Sequence, residues 1–205
     1  PKRQVSPNLS IKKVLKTISD KKTWAHAISN IGYANEFVVG LILWKLYMYI
    51  FIGDIEVFGA LISLSLFVSA FVTFIAGAQT DNGKRKKVLT FTAIATSLVW
   101  LSRIWVDTVQ GAAISHVLLH AFYPAMLVAW SSIFYHLAKN RKEPTAFILG
   151  REIFTSFTRV CFYLVLIPLA YFLPSKLLFP LSFMLAGCFS LLLIASNWQK
   201  YSKNT

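Results

Sequence analysis

Long apolar stretches separated by short polar turns dominate the pattern of this chain. Each stretch is close to or above the roughly 20 residues that a helix needs to cross the hydrocarbon core of a bilayer. The strict apolar–polar alternation of a membrane barrel does not occur. We therefore predict an all-α membrane protein, a bundle of six transmembrane helices within residues 24–198. The six stretches are 30–52, 57–79, 88–106, 111–138, 145–173 and 176–198.

Positive charge is concentrated in every second connection. Residues 1–23, the turn after the second stretch, the segment 139–151 that follows the fourth stretch and the tail 199–205 together hold 17 of the 21 Lys and Arg residues. The other turns contain one cation, Lys176, beside Asp54, Glu56 and Asp107. Because cytoplasmic loops of membrane proteins carry the excess of Lys and Arg, we predict that both termini are cytoplasmic. An integral protein of the bacterial inner (plasma) membrane, with the lipid bilayer as partner, fits this bias.

Composition narrows the class further. The formal net charge is +13, yet only 14% of the residues are charged and 56% are hydrophobic. A basic protein that binds nucleic acid needs a polar surface for its cations, so we expect no nucleic-acid partner. The two cysteines, Cys161 and Cys188, lie in apolar stretches without metal-type spacing, and we expect no metal or other cofactor.

The turn "GAQTDNGKRKKVL" at residues 77–89 carries a recognisable motif. Gly77 is followed by Asp81, Gly83 and a run of cations that includes Lys84, Arg85 and Lys86. This order, between the second and third stretches, resembles the signature loop of the major facilitator superfamily. The turn is shorter than the usual family form, since only Asn82 separates Asp81 from Gly83.

The resemblance implies a fold and a function. The chain would be one six-span half of a twelve-helix transporter, and the loop would act as a gate at the cytoplasmic face. Such proteins are secondary active transporters that move a small solute by alternating access, and the partner would be the missing second half of the polypeptide. Residues 1–23 resemble the basic amphipathic linker between halves, and the chain begins with Pro1, so we expect the C-terminal half. No ATP-binding GxxxxGK[ST] pattern occurs, and we do not expect an enzyme.

Ionisable residues inside the apolar stretches are the candidates for a solute or ion pathway. Charge at membrane depth is costly and usually faces a cavity or a partner. For three of them a structural role is the alternative. Glu36 could pair with a linker lysine, Lys45 could extend outward to the membrane interface, and Arg159 could form an ion pair with Glu36. The two histidines share a helix face, but nothing nearby completes a metal site. The candidates are Arg159, Lys45, Glu36, His116 and His120.

Other charged and aromatic residues are predicted to be structural. Arg103 precedes Asp107 by four residues, the spacing of an ion pair on one helix. Arg151 and Glu152 begin a polar stripe and are expected to pair with the basic loops. The tryptophans, among them Trp44, are expected at the membrane interface or in packing.

Two other functions are compatible with the pattern. His116 and His120 lie near Asp107 at the outer face, which would suit a membrane-embedded enzyme. A non-transporting six-span membrane subunit is the other alternative.

Overall fold

A computed structural model describes Val14 and residues 23–141 and 143–198 of the chain. The predicted linker over 1–23 and the predicted tail over 199–205 therefore lie outside the described residues, apart from Val14 and Thr23. Within the described part the elements are helices joined by short turns, and no β-strand occurs. The helices are α1 Trp24–Ile52, α2 Ile55–Gln79, α3 Arg85–Ser102, α4 Val109–Lys139, α5 Pro144–Phe172 and α6 Ser175–Leu192. Short 3-10 turns, Arg103–Trp105 and Leu193–Trp198, extend α3 and α6.

Five helical segments are long and apolar enough to cross a membrane. One of them, Ile55–Trp105, has 51 residues and includes both α2 and α3. As a straight helix it would be about 76 Å long, more than twice the hydrocarbon thickness. Its helical geometry breaks at Asn82 and Gly83, where Gly83 has a φ of 78°. The all-helical, membrane-type architecture predicted from the sequence is confirmed.

The starts of the helices follow from local side-chain chemistry. The Asp54 carboxylate accepts hydrogen bonds from two backbone amides at the start of α2. The Thr108 hydroxyl accepts from the Gly111 amide at the start of α4. Pro144 opens α5, where the missing amide hydrogen costs nothing. At the other end of α1, Gly53 takes a φ of 67° and stops the helix.

The turns alternate between two ends of the bundle. The basic end holds the turn 80–84 and the turn at Asn140 and Arg141, and the opposite end holds 53–54, 106–108 and 173–174. A contact at each end fixes this arrangement: Lys86 bonds to Asn197 at the basic end, and Tyr47 bonds to the carbonyl of Val106 at the opposite end. The ends match the charge alternation in the sequence.

The helices pack around the bundle in the order α2–α4–α3–α6–α1–α5. Helices that follow each other in sequence, such as α1 and α2, contact each other little, except for α3 and α4. The contacts show an internal symmetry. When α1 is relabelled as α4, α2 as α5 and α3 as α6, and the reverse, each pair of helices in extensive contact corresponds to another pair in extensive contact; for example, α2–α4 corresponds to α5–α1. We call the side bounded by α2 and α5, with α1 and α4 between them, the front face. Helices α3 and α6 lie behind it.

Candidate functional site

A π-helical turn, Val39–Leu43, interrupts α1 near its middle. Such a turn inserts one residue, and it shifts the register of everything that follows. Without it, Phe37 and Lys45 would lie about 80° apart around the helix axis, whereas with it they lie within about 20° of each other. The turn therefore brings these two residues to the same side of α1. Single π turns are frequent at functional sites.

The Glu36 carboxyl group lies inside the bundle, with its side of α1 turned away from lipid. Only 1% of the residue is exposed. Its Oε1 accepts a hydrogen bond of 2.8 Å from the indole Nε1 of Trp100, and the Tyr123 phenol lies beside it. Its Oε2 has no hydrogen-bond partner among the described residues. Glu36 is therefore held by α3 and α4 and not by Arg159.

Arg103 is buried between two tryptophans. Its guanidinium carbon lies 3.5 Å from the ring centre of Trp44 and 4.2 Å from that of Trp100. Its Nε donates to the Ser115 hydroxyl at 2.8 Å. Trp100 thus contacts Arg103 with its ring face and Glu36 with its indole nitrogen, and it joins the two opposite charges.

This position corrects the expected pair of Arg103 with Asp107. The α-helix ends at Ser102, and the next residues form a 3-10 turn followed by extended backbone at Val106. The four-residue spacing therefore no longer places the two side chains on one face. Arg103 turns into the bundle and Asp107 is exposed.

The two histidines of α4 form a second polar group. Their ring centres are 4.6 Å apart. The Trp44 indole donates to His116 Nδ1 at 3.1 Å, so a neutral His116 carries its proton on Nε2, which has no partner among the described residues. His120 Nδ1 is 2.7 Å from the Ser69 hydroxyl of α2. Among the described residues, no group of three or more His, Cys, Asp or Glu is arranged to hold a metal.

Arg159 and Lys45 lie on the front face. The Arg159 guanidinium carbon is 4.3 Å from the ring centre of Phe37 and 5.5 Å from that of Tyr33. Its Nε has no hydrogen-bond partner among the described residues. Lys45 is exposed and lies near His116 and His120. Arg159 of α5 and Lys45 of α1 therefore lie on the same face of the bundle.

A further polar cluster lies nearer the basic end, between α1 and α5. Asn30 and Thr155 exchange hydrogen bonds of 2.9 and 3.1 Å. Arg151 pairs with Glu152, its Nε being 3.0 Å from Oε1, and its guanidinium lies over the ring of Phe134 at 4.1 Å. These bonds join α5 to α1 and α4.

The loop at residues 77–89 that resembles the signature motif lies at the basic end. Lys86 Nζ donates to the backbone carbonyl of Asn197 at 2.8 Å, at the end of the chain segment that follows α6. The Asn197 amide donates back to the carbonyl of Lys86 at 3.2 Å and to the Thr90 hydroxyl at 2.8 Å. This reciprocal contact joins the start of α3 to the last helical turn, because a cation neutralises the exposed carbonyls there.

Most of the other residues of this loop are exposed. Asp81, Gly83 and Lys84 are exposed, and Arg85 is half-buried. A Cβ added at Gly77 would meet no atom within 4 Å, so no described helix approaches the chain there. Close approaches of another helix occur instead at Gly32 and Gly187. A Cβ at Gly32 would lie 2.5 Å from the carbonyl oxygen of Phe189.

Sequence reasoning missed several residues that hold the site together. Trp44, Trp100 and Trp130 are buried and each donates an indole hydrogen bond to another helix. Ser29 accepts from Trp130 at 3.0 Å and from Ser196 at 2.6 Å. The signal was present in the sequence as polar residues of α1, at 29, 30 and 36, on one side of a helix. Their partners lie 64 or more residues away, so the pairing could not be read from spacing.

Comparisons with known proteins do not add an identity: no family model, no curated protein and no solved structure matches the chain.

Proposed function

We propose that this bundle is one half of a secondary transporter of the major facilitator kind, moving a small solute by alternating access. In this proposal each of the six helices crosses the bilayer and both ends of the chain are cytoplasmic. The basic end faces the cytoplasm, since Lys and Arg are enriched in cytoplasmic loops. The membrane is the bacterial inner membrane.

The packing order is the observation that carries this proposal. The exchange of α1 with α4, α2 with α5 and α3 with α6 relates two units of three helices. Because each unit has an odd number of helices, the second runs opposite to the first in an up-and-down bundle. Inverted repeats of three helices within a six-span half are a property of major facilitator transporters. A scaffold subunit has no need of such a repeat.

Charge inside the bundle supports the same function. Glu36 and Arg103 are each 1% exposed and lie well within α1 and at the end of α3. Ionisable groups at membrane depth are costly and mark pathways for solutes or ions. The bond between Lys86 and Asn197 makes the signature loop part of the basic end, where a gate would close.

The solute would bind on the front face, between this bundle and a second six-helix body. That body is a further part of the same polypeptide or, alternatively, a second copy of the chain. Helices α2 and α5 flank this face and are the least buried, since only Ser65 and Ala76 of α2 are buried. Rocking of the two bodies would expose the site to each side in turn.

Counterflow in proteoliposomes tests the proposal. Vesicles that contain the complete transporter, this bundle with its second six-helix body, and are preloaded with an unlabelled solute should accumulate the labelled solute transiently, because a carrier exchanges faster than it moves net solute. Asp81→Asn should lower this exchange, and Asp107→Asn, an exposed carboxylate at the opposite end, serves as the control. Absence of exchange for anionic, cationic and neutral solutes alike, with folded protein, would refute transport.

A further inference from the structure

On the front face, positively charged side chains outnumber negatively charged ones among the described residues. Arg151 and Glu152 form an ion pair with each other. Glu36 and Arg103, both buried, are joined through Trp100. Two cations then remain without a carboxylate among the described residues, Arg159 and Lys45. An isolated cation at membrane depth needs a water-filled cavity or an anion.

Arg159 and Lys45 lie on the same face of the bundle, where both can contact a single ligand. The π-helical turn in α1 places Phe37 and Lys45 on the same side, and Arg159 of α5 lies over Phe37. Phe37 and Lys45 are eight residues apart, which corresponds to about 12 Å along a helix axis. The Arg159 guanidinium and the Lys45 ammonium group thus lie at two separate points of the front face, with aromatic rings near Arg159.

The remaining polar atoms on this face favour an acceptor ligand. The Nε of Arg159 is a donor without a partner among the described residues. Nε2 of a neutral His116 is a second such donor, buried in α4 near Lys45. Glu36, the one acidic side chain at this depth in the described part of the chain, is buried and turned inward, with Oε1 held by Trp100 and Oε2 without a partner there. A cationic solute would meet like charges here, which costs free energy.

Resting on the transport function proposed above, we infer that the solute is a small organic anion, bound by Arg159 and Lys45 on the front face. Its anionic group pairs with the Arg159 guanidinium, which forms bidentate bonds with carboxylate or phosphate. Lys45 supplies the second positive charge, and the Tyr33 and Phe37 rings limit the site beside Arg159.

Charge-resolved uptake tests this inference. The complete transporter, this bundle with its second six-helix body, is reconstituted in liposomes and assayed for saturable uptake of two labelled organic anions, succinate and glycerol phosphate, of choline, and of glucose. We expect anion uptake alone. Loss of the charge-assisted bond in Arg159→Gln should lower anion uptake about tenfold or more, and Lys45→Gln should lower it as well.

Three controls separate this inference from folding defects. Lys176→Gln removes an exposed cation at the opposite end and should leave uptake within about twofold of the parent, because surface charge contributes little. Arg159→Lys keeps the charge and should retain more uptake than Arg159→Gln. Circular dichroism and gel filtration report whether each variant folds.

The outcomes distinguish the two proposals. Saturable uptake of choline or glucose without uptake of either anion would overturn the anion inference and leave transport standing. Anion uptake that is unchanged in both Arg159→Gln and Lys45→Gln would also overturn it. No saturable uptake in any class would count against the transport function itself.

Discussion

Replacing Arg103 with methionine should lower the free energy of unfolding by about 3 to 4 kcal/mol, because a buried charge-assisted hydrogen bond and two cation–π contacts are lost. The guanidinium fills the space between Trp44 and Trp100 and donates to Ser115. Its loss leaves the Glu36 carboxyl group buried without a compensating charge. Unfolding in mixtures of SDS and mild detergent, followed by circular dichroism, measures the change.

A double-variant cycle isolates the charge effect. Adding Glu36→Gln to Arg103→Met removes both charges and should restore a large part of the lost stability. Lys176→Met, an exposed cation at the opposite end, should change the stability by no more than about 1 kcal/mol. An Arg103→Met protein as stable as the parent would mean that Arg103 and Glu36 are not coupled through Trp100.

Replacing Gly32 with alanine should be almost as damaging, although it adds one methyl group. The new Cβ would lie 2.5 Å from the carbonyl oxygen of Phe189 and 2.8 Å from the Cβ of Leu192. Backbone atoms cannot move aside as flexible side chains do, so α1 and α6 must separate. We expect a loss of about 3 kcal/mol, at the upper end of overpacking costs.

Gly59 provides the matched control, since it is also a glycine within a helix. A Cβ there meets no atom within 4 Å. Gly59→Ala should leave the stability unchanged or raise it by up to about 1 kcal/mol through helix propensity. Equal effects of the two substitutions, in the same detergent unfolding assay, would show that α1 and α6 do not approach each other at Gly32.

The apolar pattern predicted the helices well because length and hydropathy alone decide which segments suit lipid. The observed bounds of α2 to α5 lie within about four residues of the predicted ones, and α6 reaches its predicted end only with the 3-10 turn Leu193–Trp198. Helix α1 begins at Trp24 and not near residue 30. Ser29, Asn30 and Asn35 interrupt the apolar run but are buried against other helices. A hydropathy pattern cannot distinguish a polar residue that ends a span from one that bonds inside a bundle.

The contacts of the site were less predictable because they depend on packing between distant segments. Arg103 has a plausible local partner in Asp107, yet the end of the helix at Ser102 sends it to Trp44 and Ser115. The π-helical turn that aligns Phe37 with Lys45 has no signature in the apolar pattern. The choice of Arg159, Lys45 and Glu36 as pathway residues stays a prediction, which the uptake assays address.

Accessibility of single cysteines tests the six-crossing arrangement most directly. Cys161 and Cys188 are replaced by serine, and single cysteines are introduced at exposed positions in turns or at helix ends: Lys84 and Asn140 at the basic end, Asp107 and Lys176 at the opposite end. A membrane-impermeant maleimide should label intact cells at residues 107 and 176, and label residues 84 and 140 only after permeabilisation. Labelling of residue 84 or 140 from outside, or of all four positions alike in intact cells, would contradict the account.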